Sequence, residues 1–252
     1  MKKLRVTAFL TFALAGLLFG CNLNTGALLE GSPTSEGEPL AEPTENGQEP
    51  HSSPTSGGDV ETMSTSDLVE VIINDPKMFD ILFAYSSPQQ GFDAVRDRFE
   101  PLSELLNRQD AGKALLARYQ AMATDPSPNW SSQQVDQWRL IGFPGMELIL
   151  AQDEVLGQLD VDQLCELLCS AEEKLEGKRQ AQDLHERGGE LATVRLMGRI
   201  LQFAHWGDLD QLAADNDDLR LFLEEGGCDF PGVVDQIEAQ IEMVLSDTCA
   251  EN

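Results

Sequence analysis

Beyond residue 66 the apolar side chains recur at intervals of three and four. Val161, Leu164, Leu168 and Leu175 trace one such face, Leu191, Val194, Met197 and Leu201 a second, and Val233, Ile237, Ile241 and Val244 a third. That spacing buries one side of an α-helix, and no window shows the two-residue alternation of a half-buried strand. Start and stop signals agree with it. Asp75-Pro76 offers an N-cap followed by proline at the first helical position, and Ser131 with Gln134 forms a capping-box pattern. Gly226-Gly227 and Pro231-Gly232 interrupt the pattern before the last helix. The spacing predicts an all-α domain over 66–252, with about eight to twelve helices, many of them short.

Two arrangements of such helices are open: an irregular bundle or stack of helix pairs, or a regular array of the HEAT or tetratricopeptide kind. Glu70-Val71-Ile72 and Ile81-Leu82-Tyr85 recur 34 residues later as Glu104-Leu105-Leu106 and Leu115-Leu116-Tyr119. Ala114, Ala121 and Asp125-Pro126 resemble the tail of a tetratricopeptide unit. The following segment lacks the tryptophan, Leu-Gly and tyrosine positions of that family, and the period then breaks. The irregular bundle is therefore the expectation, with the repeat array as its alternative.

The first sixty-five residues follow a different pattern. Met1-Lys2-Lys3-Leu4-Arg5 precedes an apolar run from Val6 to Phe19, then Gly20-Cys21. A basic start, a run of this length and a small residue before the cut describe a secretory signal peptide over 1–20. Leu18-Phe19-Gly20-Cys21 resembles the lipobox of bacterial lipoproteins. The resemblance implies that Cys21 is the lipidated first residue of the mature chain, attached to a membrane through its acyl chains. Each buried methylene contributes about 0.8 kcal/mol, so two or more chains suffice for stable attachment. Asn22 replaces the aspartate associated with inner-membrane retention, which points to an outer-membrane address.

Composition then separates tether from domain. Residues 22–65 are rich in Gly, Ser, Thr, Pro and Glu, with eight acidic residues and no lysine or arginine. They offer almost nothing to bury, so 21–65 reads as the lipidated cysteine and a disordered tether. The domain holds 36 acidic and 14 basic side chains, a net of −22 within a whole-chain charge of −27. Such a surface excludes a protein that works by neutralising nucleic-acid phosphates. Self-repulsion predicts a melting temperature that rises from low to moderate ionic strength, which thermal unfolding in a salt series checks.

Cys165, Cys169, Cys228 and Cys249 remain in the mature chain. An exported protein meets oxidising conditions, where disulfides are expected. Cys165 and Cys169 stand one helical turn apart, whereas Cys228 and Cys249 flank the last helix and lie about 22 Å from each other at 1.5 Å per residue. A disulfide needs Cα atoms within about 7 Å. One bridge is therefore expected, from Cys165 or Cys169 to Cys228 or Cys249.

Other candidate chemistry is sparse. His185-Glu186 opens like a zincin helix, but Gly189 stands where the second histidine belongs. His205 is expected to be a packed or capping residue. Asp208, Asp210, Asp215, Asp217 and Asp218 crowd together, yet the EF-hand positions for glycine and glutamate hold Arg220 and Gly226, so they read as solvated charges at helix starts. No motif asks for a metal or cofactor. Trp130 and Trp138 are candidate interface anchors. The expectation is a lipid-anchored binding or scaffolding module of the bacterial envelope, with a protein partner there. The alternative is an envelope hydrolase using carboxylates or a bound divalent cation.

Overall fold

A computed structural model describes residues 60–82, 84–123, 143–180, 187–226, 230 and 232–249. Cys21, Trp130, Trp138, Cys228, His185, the Ser131–Gln134 pattern, the signal peptide and most of the tether lie outside the described residues. Among those described, the regular structure is helical throughout. The chain runs through a 3-10 turn, Val60–Thr62, and then α1 (Thr65–Asn74), α2 (Pro76–Leu82), α3 (Pro88–Arg98), α4 (Glu100–Leu106) and α5 (Ala111–Ala121). After the undescribed stretch come α6 (Phe143–Leu150), α7 (Asp153–Leu156), α8 (Val161–Gln180) and α9 (Arg187–Ala204). The last three are α10 (Leu209–Asp215), α11 (Asp217–Glu225) and α12 (Val233–Asp247).

Short side chains punctuate these helices. Ser64 caps α1 by accepting from the Asp67 backbone N–H at 3.1 Å. Asp75 closes α1 through its own N–H and opens α2, its Oδ1 accepting from the Lys77 N–H at 2.8 Å ahead of Pro76. Ser87 and Asn216 cap α3 and α11 in the same way. Residues 60–64, which composition assigns to the tether, are held to the domain. Arg108 donates to the carbonyls of Met63 at 2.6 Å and Val60 at 3.0 Å, and both apolar side chains pack on the core.

The core is continuous and centres on α9. This helix packs against α8, α6 and α12, with α10, α11 and α7 around it, and every residue from Thr193 to Gly198 is buried. The middle of the helix is thus enclosed, while Ala192, Arg199 and Gln202 are only partly buried. At Gly198 a Cβ would come within 2.5 Å of Leu223 in α11 and 3.5 Å of Ile237 in α12, so glycine lets the two helices close on α9. The α12 stripe is buried as its spacing predicts. The α8 stripe is buried at Leu164, Leu168 and Leu175, but Val161 is 55% exposed, because it begins the helix before the helix runs beneath its neighbours.

The helices do not stack as a regular solenoid. The 34-residue recurrence maps α1 onto α4 and α2 onto α5, but α3 intervenes. α1 packs chiefly on α4 and α5, and α2 on α3. An irregular all-α bundle results.

Candidate functional site

The chemistry-bearing side chains of the described residues gather in two buried polar clusters and one group of cysteines. The first cluster joins α5, α6, α8 and α9. Glu147 stands in the otherwise apolar run of α6, and its side chain has no exposure. Its Oε1 accepts from Tyr119 Oη at 2.9 Å, Thr193 Oγ1 at 2.8 Å and Lys178 Nζ at 2.8 Å, while Oε2 accepts from Lys178 at 3.1 Å. The Lys178 ammonium also donates to the Gly189 carbonyl at 3.1 Å and to Thr193 Oγ1 at 2.5 Å, so each of its hydrogens has an acceptor.

Lys174, one turn before Lys178, points into the same region without a carboxylate of its own. Its Nζ donates to the Met122 carbonyl at the end of α5, at 2.8 Å, and lies 5.0 Å from the Tyr119 ring centre and 5.5 Å from that of Phe143. Burial lowers its pKa, with Lys178 adding to the effect and Glu147 opposing it. Burial raises the Tyr119 phenol well above its ordinary range, and the Glu147 carboxylate beside it raises it further.

The second cluster centres on Arg195, buried in α9. Its Nε donates to the Leu223 carbonyl at 3.1 Å, and one terminal nitrogen donates to the Glu224 carbonyl at 2.8 Å and to Gln89 Oε1 at 3.0 Å. The guanidinium thus caps the C-terminal end of α11, where the helix dipole favours a cation. Gln89 in turn shares two side-chain hydrogen bonds with Gln152, at 3.1 and 3.3 Å. Burial brings the Arg195 pKa down to about 10, with Arg199 contributing and Glu225 opposing.

Among the cysteines, Cys165 of α8 is bonded to Cys249, just beyond α12, with Cα atoms 5.5 Å apart. Cys169 is an exposed free thiol. Burial raises its pKa, and Glu172 and Glu173 raise it further.

The remaining sequence candidates are dispersed. His205 is neither packed nor a side-chain cap: its ring is 82% exposed and pairs with Asp210 at 2.8 Å. Its backbone does the capping, with φ at 54°, its N–H on Gln202 and the Trp206 N–H on Leu201. Those two bonds close α9 as a Schellman motif. The five aspartates divide between helix ends. Asp208, Asp210, Asp217 and Asp218 stand at helix starts, but Asp215 ends α10, where it accepts from Gln211. Asp217 pairs with Arg220 at 2.7 Å. Among the described residues no group of three or more histidine, cysteine or acidic side chains is arranged to hold a metal ion, and no helix is long and apolar enough to cross a membrane.

Sequence reasoning did not find the Glu147 cluster, although a signal for it exists. Lys174 and Lys178 continue the α8 stripe of Leu164, Leu167, Leu168, Ala171 and Leu175 at helical spacing, and Glu147 interrupts an apolar run. Opposite charges on two buried faces call for each other. No known protein family matches the chain, and neither a curated protein nor a solved structure is found similar to it.

Proposed function

We propose that the chain is a lipoprotein of the bacterial envelope, anchored through acyl chains on Cys21 and favouring the outer membrane, whose helical domain binds or scaffolds a protein partner. The observation that carries the reading is the sequence Leu18-Phe19-Gly20-Cys21 after a basic start and an apolar run. The Cys165–Cys249 bridge supports an oxidising compartment. The saturation of Glu147 supports a binding role over a catalytic one. Glu147, the most enclosed carboxylate, already accepts from Tyr119, Lys178 and Thr193, and a general base must be free to take a proton from a substrate.

The anchor is tested by intact-mass measurement on the protein extracted from membranes with detergent. The expected mass is that of a chain beginning at Cys21 and carrying fatty-acyl groups, and Cys21→Ser shifts the protein to the soluble fraction. An unmodified N-terminus, or a Cys21→Ser protein still bound to membranes, rejects the anchor. The partner is tested separately by crosslinking in intact cells. One protein recovered reproducibly with wild type, and lost when the 66–252 segment is deleted behind an intact anchor, is the expected result. Recovery that survives the deletion removes the domain from the role.

A further inference from the structure

Cys165 and Cys169 stand on α8, and Cys249 is bonded to the first of them. α8 and α12 run antiparallel: Cys165, near the start of α8, is bonded to Cys249 beyond the end of α12, and Arg179, near the end of α8, pairs with Glu238 in the first half of α12. Cys169 lies four residues along α8 from Cys165, about 6 Å at 1.5 Å per residue. Because the helices are antiparallel, that displacement runs along the body of α12, toward the helix from which Cys249 hangs. Cys249 sits on a terminal turn whose Thr248 and Cys249 N–H groups both bond to the Val244 carbonyl, at 2.8 and 3.2 Å. With Cys249 5.5 Å from Cys165 and Cys169 about 6 Å from Cys165, the Cα atoms of Cys169 and Cys249 are at most about 12 Å apart, so a shift of the terminal turn by about 5 Å or less suffices for a disulfide.

We propose that these cysteines form a two-isomer disulfide system, in which the bridge migrates between Cys165–Cys249 and Cys169–Cys249. The Cys169 thiolate attacks Cys249 Sγ. A sulfur–sulfur bond forms between Cys169 and Cys249 as the one between Cys249 and Cys165 breaks. The bonding electron pair leaves on Cys165, which takes up the proton that Cys169 gave up. The chain gains and loses no electrons, so no oxidant or reductant enters. What changes is the surface. The first isomer exposes the thiol of Cys169, whereas the second leaves the thiol at Cys165, which is 5% exposed while bonded to Cys249. Bridge migration therefore moves the free thiol from an exposed to a more enclosed position without consuming it, which suits the small apolar character of a protonated cysteine.

The α8 acidic groups set the conditions. Burial, Glu172 and Glu173 hold the Cys169 thiol protonated, and only the thiolate attacks. The oxidised full chain is therefore incubated at about pH 9, quenched with acid, alkylated and digested after glutamate. Glu166 lies between the two α8 cysteines, so the digest places them on separate peptides. The expected result is loss of part of the Cys165–Cys249 peptide pair, with an equal gain of Cys169–Cys249 and of alkylated Cys165. Cys169→Ser holds the bridge at Cys165–Cys249 under the same treatment. Persistence of Cys165–Cys249 alone in the wild type overturns the proposal. So does a new bridge to Cys228, or a wild-type loss of Cys165–Cys249 that Cys169→Ser reproduces.

Discussion

Two cations, the half-buried Lys178 and the buried Arg195, are accommodated by opposite means on either side of α9. Lys178 faces a full counter-charge, the enclosed carboxylate of Glu147, with Tyr119 and Thr193 filling the remaining valences. Arg195 faces no carboxylate within contact distance. It is held by two carbonyls at the end of α11 and by the Gln89 amide. The difference lies in what each leaves behind when removed. A lost lysine strands a buried negative charge, while a lost arginine strands carbonyl dipoles that a neighbouring amide or water can satisfy.

That comparison orders the mutations. Lys178→Met is expected to cost about 3–5 kcal/mol, measured by urea unfolding, because Glu147 stays buried without its counter-ion. Replacing Glu147 by methionine as well is expected to restore most of that loss, since a buried pair exchanged for apolar side chains is often near neutral. Arg195→Met is expected to cost about 2–3 kcal/mol, the desolvation of the orphaned acceptors reduced by the burial cost that Arg195 itself no longer incurs. Equal losses for the two single variants would break the distinction. It would then follow that Glu225, which acts on Arg195 through space, serves as its real counter-ion.

Alkaline pH separates the buried groups by sign. Tyr119 keeps its proton in the folded state above the ordinary value of 10.0, so its contribution is whole below pH 10 and declines as pH rises through the raised folded value. The slope is at most about 1.4 kcal/mol per pH unit. Arg195 is lowered to about 10 and Lys174 is lowered from 10.5, so both act the other way: the unfolded chain holds a proton that the folded one releases, and stability gains across those windows. Tyr119→Phe removes only the declining contribution. The stability of this variant relative to wild type is expected to be flat below pH 10 and to rise above it, by chemical denaturation at constant ionic strength. A difference that stays flat to pH 11 would remove Tyr119 from the linkage.

How much of this was legible in the sequence depends on whether local pattern or tertiary pairing decides. The α12 stripe and the shared Asp75 cap were readable because periodicity and capping act within a few residues. Val161 continued a stripe on paper, yet it lies outside the core, since periodicity does not say where a helix first meets its neighbours. Lys174 and Lys178 are hard to read for the opposite reason: charge on an apolar stripe reads as surface until a partner such as Glu147, 31 residues from Lys178, is brought to it. The choice of Cys249 over Cys228 needs the antiparallel register of α8 and α12, which no local signal carries. The 34-residue recurrence was real as a pattern of side chains, but α3 lies between its halves and redirects the packing.

The two helix ends extend the comparison to the backbone. α11 ends at Gly226, with φ at 74°, where a side chain would also come within 3.0 Å of Arg195, so glycine serves both conformation and space. α9 ends at His205, with φ at 54°, where a side chain meets only solvent and Asp210. The left-handed conformation costs a residue with a Cβ about 1–2 kcal/mol, which glycine avoids. Against this, His205→Gly increases the freedom of the unfolded chain, at about 0.5–1 kcal/mol, and gives up an exposed hydrogen bond of small worth. The balance is expected to be a gain of about 0.5 kcal/mol, the smallest effect in the set, read as a rise in the midpoint of urea unfolding. His205→Ala keeps the Cβ and loses the ring, so it is expected to fall at or below wild type. If instead both variants lose stability equally, the contact with Asp210 governs the end of α9, and the contrast with Gly226 rests on the side chain rather than on the backbone.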